Sequence, residues 1–142
     1  MKKLFVLITV AIAAAFTTGC DIDADFHQPA VINNIRVFPE DWERVTSGPG
    51  NVVWFCDIEL PEITDYIFTN RAFHTYWIYD EERDNRLVTV QEPLPATVHG
   101  DDYTETISCS YDVGYVRISI SRAPFYDRRP DRELVFRTVI NQ

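Results

Sequence analysis

The chain reads as an all-β protein, an antiparallel β-sandwich of about seven short strands with one short crossover helix. Three observations lead there. From residue 31 onward, apolar side chains recur at every second position. Clusters of turn residues (TSGPGN, DEERDN, DVG) interrupt that alternation at short intervals. A single segment, Pro61 to Asn70, departs to helical spacing. The alternating part, residues 31–142, suits one domain and is long enough to bury a core.

Taken in order, Val31 to Phe38 is the first predicted strand, with Ile35 and Val37 on one face, stopped by Pro39. Thr46 to Asn51 is a loop. Val52 to Leu60 is the clearest strand: Val52, Trp54, Cys56, Ile58 and Leu60 share a face, and Asp57 and Glu59 take the other. Pro61 stands where a first helical residue would, and Glu62 and Asp65 suit the positive end of a helix. Phe73 to Tyr79 is a strand rich in aromatics, Asp80 to Asn85 a polar turn, and Arg86 to Gln91 a short strand ended by EPLP. Tyr103 to Tyr111 and Tyr115 to Arg122 are the fifth and sixth strands, joined by a three-residue loop with Gly114 in the left-handed position. Ala123 to Arg132 is a loop, and Leu134 to Ile140 the last strand.

Ahead of this domain, Lys2 and Lys3 precede an apolar run from Leu4 to Phe16, much shorter than the ~20 residues of a spanning helix. That arrangement describes a secretory signal. Thr17 to Cys20, TTGC, resembles the lipobox of bacterial lipoproteins, with threonine where leucine is usual. In that family the cysteine thiol takes a diacylglycerol, a peptidase cuts before it, and the new amino terminus is acylated, often with palmitate. The resemblance implies a signal peptide over residues 1–19, lipidation at Cys20 and a tether over residues 20–30. Several acyl chains hold a protein at a membrane where one alone is marginal. An ordinary secretory cut near Ala13 to Ala15 is the alternative. A chain starting at Cys20 has eleven arginines, no lysine and twenty-two acids, a formal charge of −11. That balance argues against nucleic acid or anionic headgroups held by bulk charge.

Cys56 and Cys109 remain. A disulfide between them would close a loop of about 53 residues and contribute roughly 4 kcal/mol by chain entropy; two reduced, buried thiols are the alternative. Cys56, Trp77 and Cys109 together resemble the Cys…Trp…Cys pattern of immunoglobulin domains, and the predicted architecture is immunoglobulin-like. Ile107, not tyrosine, stands two residues before Cys109, so the tyrosine corner of that family is missing. The order of elements is similar to small lipoproteins of Bacteroidota, with LPEIT (Leu60 to Thr64), VGYV (Val113 to Val116) and a terminal F-R-x-V-I (Phe136 to Ile140). That resemblance implies an outer-membrane lipoprotein with a β-sandwich domain, and Asp21, Asp23 and Asp25 resemble a surface-export signal.

Motifs for chemistry are few. DIDAD opens like a calcium loop, but Phe26 stands where glycine and Ile32 where glutamate are needed. His27, His74 and His99 have no ligand-like spacing, and no nucleophile motif or phosphate loop occurs. The expectation is a non-catalytic envelope module with no cofactor or metal, partnered by the membrane through its lipid and by a glycan or an envelope protein. Trp42, beside charged residues, and Tyr126, Arg128 and Arg129, in an arginine-rich loop, are the candidate ligand residues. Sugar rings stack on exposed aromatics, and arginine grips carboxylates with paired hydrogen bonds. Trp54 is assigned to the core.

Overall fold

The computed structural model describes residues 30–46, 52–124 and 127–141. Within these residues it forms an antiparallel β-sandwich of nine strands: β1 (Ala30–Val37), β2 (Glu43–Thr46), β3 (Val52–Glu59), β4 (Ala72–Arg83), β5 (Arg86–Pro93), β6 (Ala96–His99), β7 (Thr104–Asp112), β8 (Tyr115–Ala123) and β9 (Leu134–Asn141). One helix, α1 (Asp65–Asn70), links β3 to β4. The first sheet has the order β1-β9-β4-β5, and the second β2-β3-β8-β7-β6.

Alternation builds the core. Val52, Trp54 and Cys56 of β3, Val116, Ile118 and Ile120 of β8, and Leu134, Phe136 and Ile140 of β9 all face inward and are buried. Each fully buried large aliphatic or aromatic side chain contributes about 1.5–3 kcal/mol relative to exposure. Thr138, on the same inward face of β9, is also fully buried. Its hydroxyl lies 2.9 Å from that of Thr75 on β4, and Thr75 lies 2.9 Å from the Tyr111 hydroxyl of the opposite sheet. This chain satisfies hydroxyls that would otherwise each cost a few kcal/mol inside. Phe73 stacks on Tyr111 with ring centroids 4.8 Å apart, packing beside the bridge.

Five features differ from expectation. Two strands, β2 and β6, are additional; each has four residues at a sheet edge, and β2 is exposed throughout, so no alternation marks it. β4 and β5 run on through the expected polar turn, which shrinks to Asp84 and Asn85, both at positive φ (52° and 59°) as a two-residue hairpin of type I′ needs. The helix starts later than Pro61 suggests. Thr64 caps it by accepting from the Ile67 amide, while residues 60–63 follow a tighter path. There Leu60 N donates to the Gly114 carbonyl at 2.8 Å, and Gly114 N to the Ile63 carbonyl at 2.7 Å. The β7–β8 turn itself has two residues, Val113 and Gly114, with glycine at φ 79°.

Cys56 and Cys109 are both free. The register explains why: both are partners of Ile118, one on each side of β8. Two strand spacings separate their backbones by about 9.5–10 Å, beyond the ~7 Å a disulfide tolerates. Of the two alternatives the register thus leaves the reduced one, two thiols packed on one core face.

Candidate functional site

An ion network closes one end of the sandwich. Glu105 points inward from β7 and is only 3% exposed. Its register partner Arg122 donates from Nε to Oε2 at 2.7 Å, and Arg132 donates from Nη2 to Oε1 at 2.7 Å. The Arg122 side chain is 7% exposed. Both guanidinium groups stand over rings, Arg122 over Tyr103 and Arg132 over Trp77. A buried carboxylate needs such saturation of its oxygens, and the rings face the cations with their negative quadrupoles. Arg122 Nη1 also donates to the Arg128 carbonyl, which ties the 127–133 segment to the sheet.

The expected ligand residues scatter around this closure. Arg128 pairs with Asp131 at 2.8 Å, and the Arg129 guanidinium lies 5.6 Å from the centre of a Trp54 ring. A ligand gripped by both arginines would compete with these partners. Tyr126, Cys20 and the 20–29 part of the tether fall outside the described residues. Trp42 is a correction: it is 1% exposed and belongs to the core. Its neighbours Glu40, Asp41, Glu43 and Arg44 are exposed, but the Pro39–Asp41 turn points the indole inward. That turn is held by the Phe38 amide, which donates to Asp41 Oδ2 at 2.8 Å. Trp54 is in the core, as expected.

The outer face of the second sheet offers a better surface. Tyr115, 45% exposed, stands between two clefts. One, of about 330 Å³, is lined by Asp57, Ser110, Asp112 and Arg117; the other, of about 240 Å³, by Glu59, Pro61 and Gly114. Arg117 forks onto Asp57 with two bonds of 2.6 Å, and its guanidinium lies 4.3 Å from the Phe55 ring centre. The Arg117 bond holds the Asp57 carboxyl below the usual carboxylate range and raises the guanidinium in turn. The pair is thus charged and fixed in plane, with Asp112, Glu59 and the Ser110 hydroxyl beside it. A ring on this face meets one aromatic surface, oriented acceptors and a hydroxyl. The signal for it was present in β8: Val116, Ile118 and Ile120 face in, so Tyr115 and Arg117 must face out.

A third cleft, of about 420 Å³, lies where the first sheet meets the closure, between Arg36, Tyr79, Asp80 and Glu133. The Tyr79 hydroxyl donates to Glu92 Oε2 at 3.1 Å; partial burial, then that carboxylate, pushes its pKa up.

Groups with reactive potential are held in packing. Burial, then the nearby Asp41, Asp57 and Glu43 charges, pushes the Cys56 thiol up to about 11, so it stays protonated at neutral pH. The Cys109 thiol donates to the Tyr111 hydroxyl at 3.4 Å, and burial pushes Tyr111 up as well. His99 Nδ1 lies 3.3 Å from the Thr104 hydroxyl. Among the described residues, no three His, Cys, Asp or Glu side chains are grouped to hold a metal ion. Compared with known proteins, the chain matches no family model, and no curated protein or solved structure is significantly similar to it.

Proposed function

We propose that the protein is a non-catalytic interaction module, held at the cell envelope by a lipid on Cys20, that meets its partner through the outer face of the second sheet. The observation that carries the interaction is Tyr115, an exposed ring set between two clefts whose walls supply Asp57, Asp112, Glu59 and Ser110. The anchor rests on the lipobox-like TTGC and the apolar run before it. A binding role also agrees with a thiol kept protonated and a buried carboxylate saturated by two arginines.

A glycan is the second reading, and the Tyr115 face favours it specifically. A sugar stacks its C–H face on an aromatic ring and directs hydroxyls to carboxylates at the rim, which is the chemistry available here. The experiment has two arms. Membrane fractionation of Cys20→Ser should move the protein to the soluble fraction; continued membrane association refutes the lipid anchor. A glycan array probed with the full chain and with Tyr115→Ala should show binding that the substitution weakens at least tenfold. An array blank for both proteins ends the glycan reading, and a pull-down partner kept by Tyr115→Ala ends the assignment of this face.

A further inference from the structure

Among the described residues four strands stand at a sheet edge, and three of them are blunted. β2 and β6 have four residues each. β1 carries a register shift between Ile32 and Ile35, with Asn34 at φ 56°. Short strands and bulges of this kind keep an edge from recruiting another chain. β5 has neither device. It runs eight residues in unbroken register with β4, and it displays Leu87 at 74% exposure.

Its backbone polarity follows from the hairpin. Arg83 and Arg86 flank the two-residue turn and form the first bonded pair. Bonding toward β4 then falls on Arg86, Val88, Val90 and Glu92, and the alternation continues in Leu94, whose amide donates to the Thr75 carbonyl at 2.9 Å. The amides and carbonyls of Leu87, Thr89 and Gln91 therefore point to the open edge. Pro93, next in that series, has no N–H and ends it.

We propose that this edge pairs antiparallel with β5 of a second copy of the chain, on a two-fold axis through Thr89. The residues RLVTVQE are self-complementary in that register. Thr89 meets Thr89, and Leu87 meets Gln91, each as a bonded pair. Val88 meets Val90 in the closer unbonded pairs, and Arg86 meets Glu92 at both ends. Valine thus opposes valine and a cation opposes an anion, twice by symmetry, while Leu87 lies along the aliphatic stem of Gln91. A register centred one residue to either side breaks the Arg86–Glu92 match and leaves fewer bonded positions. The interface is isologous and closed, so it yields a dimer joining two four-stranded sheets into one of eight strands. It leaves the Tyr115 face, on the other sheet, uncovered.

The test uses the full chain with Cys20→Ser. Sedimentation velocity over a concentration series should show a reversible monomer–dimer equilibrium. Arg86→Glu, which sets two carboxylates opposite each other at both ends, should weaken it roughly tenfold, and Arg86→Glu with Glu92→Arg should restore most of the loss. Thr89→Cys should give an oxidised dimer joined through the introduced thiols, because bonded antiparallel partners stand about 5.5 Å apart at Cα. Circular dichroism of each variant should match the parent. A protein that stays monomeric at its highest soluble concentration overturns the proposal. So does a dimer unaffected by Arg86→Glu, or one in which Thr89→Cys fails to cross-link; capture of a strand from a different protein without self-pairing counts against it equally.

Discussion

The middle of β4 and its far end live in different physical regimes. Near its middle, Trp77 is buried under Arg132 and the Glu105 network, with a partner strand on each side and the second sheet beneath. Beyond Ile78, β9 stops pairing with it, and the strand continues to Arg83 with only β5 alongside. The closed end spends ionic chemistry on burial; the ribbon leaves Glu81–Arg83 and Asp80–Thr89 as surface contacts. The same backbone ladder therefore serves two purposes. At the closed end position is fixed by charges that cannot be unpaired, and at the ribbon the edge stays available.

Three measurements separate these regimes. Glu105→Ala removes the buried carboxylate that Arg122 and Arg132 share; unfolding in urea should show a loss of about 3–5 kcal/mol. A loss no larger than that of a surface substitution would erase the distinction. Alkali probes the core of the second sheet. Because the Cys56 thiol titrates near 11 folded and near 9.0 unfolded, the unfolded chain gives up its proton first as pH rises. Stability is therefore full below pH 9 and declines between pH 9 and 11, by about 2 kcal/mol in all, with Tyr111 adding to the decline above pH 10. Cys56→Ala should flatten the first part of that slope in melts taken at successive pH values. The smallest effect is expected on the ribbon: Leu87→Ala, in dilute protein, should change unfolding free energy by no more than ~0.5 kcal/mol. A larger change would mean that the ribbon packs more than its exposure indicates.

The sandwich was legible because burial on one face writes itself into the sequence every second residue. β3, β8 and β9 carry that signature, and their core faces fall where alternation puts them. β2 and the outer half of β4 carry none, since a strand solvated on both faces has no apolar residue to repeat. The location of Trp42 was misjudged for a related reason: charged neighbours in sequence describe the surface around a turn, not the direction of one side chain. Glu105 was readable in part. It shares the parity of Ile107, so a carboxylate had to enter the interior, but its arginine partners come from β8 and from beyond a loop. The Tyr115 face required knowing that Glu59, Asp57 and Asp112 converge there, which only the β3-β8-β7 order supplies.

The placing of Ile118 between the two thiols has a further consequence. Once β8 lies between β3 and β7, Cys56 and Cys109 are held apart for as long as the sheet persists. Before that, nothing separates them but a flexible stretch of chain. An oxidised Cys56–Cys109 species can therefore arise only in molecules whose central strand is not yet in place, and it bars that strand from entering afterwards. The pair works as a clock on assembly: with a disulfide oxidant such as oxidised glutathione added at intervals during refolding, which is reduced as the two thiols join, the cross-linked fraction times the arrival of β8.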